Sequence, residues 1–581
     1  IWITPIVENI TEDQHDNDTD TATYGYHGYW ASDFTKLNKH LGTEEEFKAL
    51  LDAAHSKGMK IMVDVVLNHA GYGTEKYFNS ILTDADGNTI KMLRDASNTI
   101  SGDDKYDALS GLPDFVTENK EVADQLIEWQ TGWMAKYDID YYRVDTVKHV
   151  ETTTWAAFKN SLTKVNPDFK MIGEYFGAGY ANTAGELGTG TMDALLDFDF
   201  NDFAQSFVTG SISNVENSLQ KRNAAINNTA TMGSFLDSHD DDTLQYKLVN
   251  ESKLTDEEAY NLMKVAATLQ ITAKGQPVLY YGDEIGQAGN NSWPLQTNRR
   301  DFDWEKLEQQ KTDSNSMYNH YKTLLSIRNA YTDVFARGNR STVVGSDEEG
   351  YEVISRSYGN DKLYVGMNIK EAEKEITVPV SEKEGTVIVN LYDGKEYTVS
   401  ADQTIVISIP AAKDGGTIVL TAKKNETSDD DKKDDVTTPD DSKKDDVTTP
   451  DDSKKDDVTT PDDSKKDDVT TPDESKKDDV TTPDESKKDD VTTPDADKKD
   501  DVTTPDESKK DDVTTPDESK KDDVTTPDTD KKDDVTTPDS SKKDDNTSDT
   551  KQEEKVTAEV VVEGNSIEQL ITTLKNTKEG G

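Results

Sequence analysis

The chain has 581 residues, of which 32% are hydrophobic and 31% charged, with a net charge of -53 and no cysteine. That length accommodates about three to four domains. The acidity disfavours nucleic acid as a partner, because phosphate binding needs clustered Lys and Arg. The lack of Cys excludes disulfides, thiol catalysis and Cys-based metal sites, and leaves the compartment open. No apolar run reaches the roughly 18 residues of a membrane span. Composition is uneven: none of the 7 Trp lies beyond Trp304, so the front can build a core that much of the back cannot. The chain opens on Ile1 inside an apolar run and stops at Gly581. Both ends read as cut, which leaves a secretion signal untested.

Residues 1–335 alternate short apolar runs with amphipathic stretches. Runs at 1–4, 60–66, 139–145, 169–175, 194–200, 232–237 and 277–282 predict strands. Patterns at 44–57, 119–137, 155–165, 256–273 and 317–331 predict helices. Such alternation gives a parallel sheet, and at this length a (β/α)8 barrel rather than an open sheet. A barrel needs eight strands and the pattern supplies seven, so the expected TIM barrel lacks its first strand. Residues 70–116, rich in Gly, Asp and Asn, read as a loop-rich insertion. Over 336–423 the period shortens, with β-like runs at 351–357, 362–367, 375–380, 386–391, 404–409 and 417–420, the pattern of an all-β antiparallel sandwich.

Residues 424–551 read as a disordered acidic linker. Within it, 432–541 hold ten copies of an 11-residue repeat, Lys-Lys-Asp-Asp-Val-Thr-Thr-Pro-Asp plus two variable residues. An 11-residue period can mark a right-handed coiled coil, but a Pro in every copy and no apolar stripe exclude it here. A solvated, extended spacer is expected. Residues 552–581 read as the start of a further module, with folded-looking runs at 556–562 and 566–574.

Barrel enzymes place their chemistry at the C-terminal ends of strands. Three predicted strands end in carboxylates there: Arg143-Val144-Asp145, Gly173-Glu174, and Asp237-Ser238-His239-Asp240. Asp145, Glu174 and Asp240 should therefore converge on one mouth. Clustered carboxylates can bind a hard metal, or run acid/base and nucleophilic chemistry. Arg143, two residues before Asp145 and so on the same face, speaks against Asp145 as a metal ligand. It suits an ionised, oriented nucleophile. Glycoside hydrolysis needs that division of labour: one ionised carboxylate and one carboxylic acid beside the leaving oxygen.

These segments resemble the α-amylase family of glycoside hydrolases, in order and at the right strand ends. Ile1–Pro5 resembles the family's second barrel strand, and Tyr26-His27-Gly28-Tyr29-Trp30 the aromatic loop after it. The runs 64–69, 143–149, 173–174 and 235–240 resemble four catalytic segments, Leu112-Pro113-Asp114 a short motif, and 280–284 the last strand. The resemblance covers residues 1 to about 305. It implies that Asp145 is the nucleophile, Glu174 the general acid and base, and Asp240 the transition-state stabiliser. Arg143 would hold Asp145, while His69 and His239 would bond sugar hydroxyls and Tyr29 would stack on the sugar ring. His27, Trp30, Lys148 and His149 complete the implied substrate contacts. It also implies calcium, tying the insertion to the barrel through Asn68, Asp114 and the carbonyl of His149. Oxygen donors of this kind suit a hard cation. One departure is Ser238, where the family usually has Asn.

The Lys148-His149 pair is the form of α-amylases proper and of cyclodextrin-forming transferases. The expected activity is endo-hydrolysis of α-1,4 bonds in starch, with transglycosylation or maltogenic action as the alternative. A non-catalytic surface starch-binding protein predicts loss of one carboxylate, and all three are present. The expected partners are starch and α-1,4-glucan oligosaccharides, with attachment to a cell wall or carbohydrate through further C-terminal modules. A hydrophilic spacer and a polymeric substrate point to a secreted or surface-displayed bacterial protein.

Overall fold

The computed structural model describes residues 1–14, 22–181, 187, 189–227, 231–293 and 296–423, with Ala558–Val561 and Thr573–Asn576 beyond them. The apolar runs of the first part become short buried strands: β1 (Trp2–Ile3), β2 (Met62–Val65), β3 (Tyr141–Val144), β4 (Lys170–Gly173), β5 (Ala194–Asp197), β6 (Thr231–Ser234) and β7 (Gln276–Pro277). They form one sheet in sequential order, and every pairing is parallel. Parallel neighbours need a crossover, which helices supply. Glu44–Ser56, Lys120–Tyr137 and Thr152–Val165 make the first three, and Asp256–Ile271 leads into β7.

Local chemistry sets those helices. Thr43 caps Glu44–Ser56 and Glu46 reaches back to the Thr43 backbone; Thr255 and Glu258 do the same for Asp256–Ile271. Reciprocal capping of this kind satisfies amides that have no partner within the helix. Asn119 caps Lys120–Tyr137, which ends on Asp138 in the left-handed region. Leu126, Ile127, Trp133 and Met134 of that helix join Val63, Val65, Tyr142 and Val144 of the strands in one core. The fold is that of a (β/α)8 barrel, with seven strands among the described residues.

Three expected strands end early. The run 194–200 is strand only to Asp197, and a helix, Phe198–Val208, follows. The 277–282 run pairs at Pro277 alone, through Ser234. The 232–237 run pairs only to Ser234. Between β2 and the helix Lys120–Tyr137, the insertion holds one short helix, Glu75–Phe78, and a ribbon, Leu82–Thr83 with Thr89–Ile90. Two bridges, His69 to Asp114 and Leu93 to Phe115, fasten its return.

Eight strands follow, Asn339–Ser346 to Thr417–Ala422, in a six-stranded and a two-stranded antiparallel sheet. Asn339–Ser346 and Glu396–Thr398 are additional to the expected runs. Arg356 is buried and donates to the carbonyls of Thr272, Val334, Phe335 and Gly338, joining these sheets to the barrel. The repeat tract 432–541 lies outside the described residues. Ala558–Val561 and Thr573–Asn576 pair antiparallel.

Candidate active site

A single guanidinium organises the C-terminal end of the sheet. Arg143 of β3 is 1% exposed, and its Nη1 lies 2.6 Å from Asp145 Oδ1 and 3.0 Å from both oxygens of Asp64. Its Nη2 is 3.4 Å from Glu174 Oε2. Asp64 stands opposite Arg143 in the β2–β3 register, so adjacent strands deliver the pair at one level. Burying either charge alone would cost several kcal/mol, on the order of 3–5. The guanidinium also lies 5.1 Å from the Trp2 ring centroid.

The ladder of the sheet continues past the strands and sets Glu174. Glu174 N donates to Val144 O at 2.7 Å, and Val147 N to Glu174 O at 2.9 Å. Thr146 N donates to Glu174 Oε2 at 2.9 Å. Thr146 adopts φ 50°, a left-handed conformation that costs a non-glycine residue of order 1–3 kcal/mol and clusters at functional sites. Burial, helped by the Asp145 and Asp240 charges and opposed by Arg143 and the Thr146 N–H, pushes the Glu174 carboxyl up to about 8.

Asp240 joins this cluster through a relay. Tyr29 Oη donates to Asp64 Oδ2 at 2.6 Å and lies 3.0 Å from His239 Nε2. With the Tyr29 proton given to Asp64, the proton of His239 sits on Nε2, which is 3.0 Å from Asp240 Oδ2. Tyr29 and His239 stack at 5.6 Å and 7°. Asp240, 43% exposed, stands at the rim, with Arg299 Nη2 2.8 Å from Oδ1. Burial acts to raise its carboxyl, but the His239 hydrogen bond and the Arg299 and Arg143 charges prevail and hold it below the usual range.

The remaining predicted contacts divide. His69 is buried, its Nε2 meets no hydrogen-bond partner of good geometry among the described residues, and burial lowers its pKa, so a neutral ring presents one loosely engaged nitrogen. His27 is buried and held neutral, lowered to about 3 chiefly by burial; its Nδ1 accepts from Tyr29 N. Trp30 is 7% exposed and packs edge-on against His27, Tyr72 and Trp293. Lys148 pairs with Asp104 at 3.5 Å, and His149 Nδ1 lies 2.5 Å from the Asp104 carbonyl, so the structure turns both toward the insertion.

Two of the implied calcium donors, Asn68 and Asp114, come together where the insertion returns to β2. Phe115 N donates to Asn68 O, and His69 bridges to Asp114. Asp114 Oδ2 accepts from Arg94 Nε at 2.6 Å, both side chains being 4% exposed. Arg94 reaches Glu118 with its other nitrogens. Burial pushes Asp114 up to about 7, as befits a carboxyl whose charge is only partly matched. Among the described residues no three His, Cys, Asp or Glu side chains cluster as a metal site. The donor set here is of another kind, with one carboxylate, one amide and one carbonyl, and its hard oxygens fit a calcium ion.

Sequence reasoning did not assign Asp64, Trp2, Asn298 or Arg299. Asp64 carried a signal: a lone acid inside an apolar strand needs a buried cation. Arg299 carried none, since its partner lies 59 positions away.

The Alpha amylase, catalytic domain family matches residues 1–91 and 105–303. A cyclomaltodextrinase of Geobacillus thermopakistaniensis is 26% identical over 396 residues, covering 66% of this chain and 63% of the relative. An alpha-amylase of Streptomyces lividans is 30% identical over 353 residues, covering 50% of this chain and 38% of the relative. The chain thus spans from over a third to under two thirds of the length of these two relatives. The crystal structure of an Anoxybacillus alpha-amylase superposes with a TM-score of 0.57 at 26% identity, covering 73% of this chain and 87% of that one. With the strand order, the carboxyls around Arg143 and these matches in agreement, the chain belongs to the alpha-amylase catalytic-domain family of glycoside hydrolases.

Proposed function

We propose that the protein is a retaining glycoside hydrolase that cleaves internal α-1,4 bonds of starch and related glucans. The observation that carries this reading is the contrast between two neighbouring carboxyls. Asp145 offers its carboxylate to a buried guanidinium at 2.6 Å, while Glu174 is pushed up to about 8, chiefly by burial. Paired acids with divergent environments are the signature of glycosidic acid/nucleophile chemistry.

In the proposed reaction an Asp145 oxygen attacks the anomeric carbon, and the bond to the leaving oxygen breaks as Glu174 gives that oxygen its proton. A β-glycosyl ester on Asp145 results. Glu174, now ionised, takes a proton from water, whose oxygen displaces Asp145 and restores the α configuration. Asp240 faces the positive charge that develops on the ring. The loosely engaged Nε2 of His69 suits a hydroxyl of the same sugar. His27, Tyr29, Trp30, Arg143, Lys148, His149 and His239 make up the wider substrate-binding set, with Lys148 and His149 acting from the insertion side.

Calcium, bound by Asn68, Asp114 and the His149 carbonyl, would supply a structural tie between insertion and barrel. The protein is proposed to act outside the cell, on a polymer that cannot enter it. No helix among the described residues is long and apolar enough to cross a membrane.

Transfer to a sugar instead of water is the second reading, favoured by the similarity to a cyclomaltodextrin glucanotransferase of Klebsiella oxytoca, 27% identical over 428 residues. Product analysis on maltoheptaose and amylose tests both. Short linear products from inside the chain support endo-hydrolysis. Cyclic or lengthened glucans would replace it with transfer, and the absence of any cleavage would refute the enzymatic reading.

A further inference from the structure

The turn that carries Asp240 is gripped by side chains of one neighbouring loop. Four successive carbonyls, those of Ser238, His239, Asp240 and Asp241, accept hydrogen bonds from side chains of that loop. Asn298 Nδ2 lies 3.3, 3.0 and 3.0 Å from the carbonyls of Ser238, His239 and Asp241. Asn291 Nδ2 reaches the Asp240 carbonyl at 2.5 Å, and Asn291 N reaches Asp242 Oδ1 at 2.6 Å. Arg299 Nε is 2.8 Å from the His239 carbonyl while its Nη2 is 2.8 Å from Asp240 Oδ1.

Arg299 thus grips the backbone of one residue and the side chain of the next. A guanidinium has a rigid fork of donors, so two bonds from one side chain fix both position and direction. Asp240 needs such support, because its carboxylate projects from a turn at the rim and is 43% exposed. Its own turn supplies little: Ser238 Oγ accepts from Asp240 N at 3.1 Å, and the side chain meets only His239. Arg299 is 13% exposed and occupies one oxygen. A carboxylate has about four lone-pair sites, so those facing the mouth remain for sugar hydroxyls.

We propose that Arg299 is a positioning residue for Asp240: its guanidinium clamps the 238–241 turn and aims the Asp240 carboxylate at the reacting sugar. This rests on the transition-state role proposed above for Asp240. Arg299 itself is not required to touch substrate. Misplacement of a reacting group by about 1 Å can cost on the order of 100-fold in rate.

A double-mutant cycle tests the proposal. Arg299→Gln, Asp240→Asn and the double variant are assayed for kcat and KM on α-maltotriosyl fluoride, with melting temperatures, and Arg299→Lys is the folded control. Arg299→Gln should lower kcat by about 10- to 100-fold with KM little changed. In the Asp240→Asn background the same change should cost less than about twofold, since a group acting only through Asp240 has nothing left to position. Arg299→Lys, which keeps the charge and loses the fork, should recover part of kcat. Equal losses with and without Asp240 would overturn the proposal, as would full activity in Arg299→Gln. A fully active Asp240→Asn would instead overturn the role of Asp240, and is read from its own arm of the cycle.

Discussion

Raising the pH should titrate the acid step out of the reaction, and Glu174 sets where. Its carboxyl is moved from 4.5 to about 8, by burial first and by the Asp145 and Asp240 charges. At neutral pH a group at about 8 is about 90% protonated, against about 0.3% for an ordinary glutamate. About 300-fold more of the enzyme then carries the proton that the leaving oxygen needs. The assay is kcat/KM for maltoheptaose from about pH 5 to about pH 10. The expected profile holds to roughly pH 7 and falls about tenfold per unit above about pH 8. Glu174→Gln should lose maltoheptaose cleavage. It should still form the glycosyl intermediate from α-maltotriosyl fluoride, whose leaving group needs no acid, with that alkaline limb gone. Stability carries a second signature. Because the folded value lies above 4.5, the group's contribution is present below about 4.5 and is lost as pH rises through about 8. Glu174→Gln should therefore melt above wild type at alkaline pH and alongside it in acid. An alkaline limb that persists in Glu174→Gln on the fluoride would refute the assignment.

Asp145→Ala should lower hydrolysis by about 10⁴-fold or more, since it removes the nucleophile; near-normal turnover counts against it. Calcium at about 100 times its dissociation constant should stabilise the fold by about 2.7 kcal/mol, and Asn68→Ala should abolish most of that gain; a melting temperature indifferent to chelator removes the site. Asp237 and Asp283 are buried side by side and both are pushed up, chiefly by burial, Asp283 also by the Asp237 charge. Groups raised in the folded state lose stability as pH rises. Asp283→Asn should therefore gain melting temperature over wild type increasingly above about pH 4; a pH-independent difference contradicts this.

Where the site was legible, strand geometry made it so. Arg143 and Asp145 share a face because they lie two apart along one chain direction, and Asp145, Glu174 and Asp240 follow the C-terminal ends of consecutive or nearby strands. What failed needed tertiary context. The run Leu195-Leu196-Asp197-Phe198-Asp199-Phe200 alternates like a strand, yet Phe200, Ala204, Phe207 and Val208 bury one helical face. That longer period prevails, and Asp197 closes the strand by pairing with Arg222. Asn339–Ser346 was missed because most of its residues stay accessible at a sheet edge, leaving no apolar alternation. Lys148 and His149 meet Asp104 of the insertion, a contact that the local motif does not record. The raised pKa of Glu174 follows from burial and neighbouring charges, which no local motif records.

The central claim is that Asp145 becomes covalently glycosylated while Glu174 supplies and then withdraws the proton. Glu174→Gln incubated with α-maltotriosyl fluoride should lose fluoride without acid help, and then stall for want of a base. Mass analysis of the digested protein should find one maltotriosyl group on the peptide containing Asp145. A sugar attached to any other residue, or rapid fluoride release with no covalent sugar at all, would contradict the account.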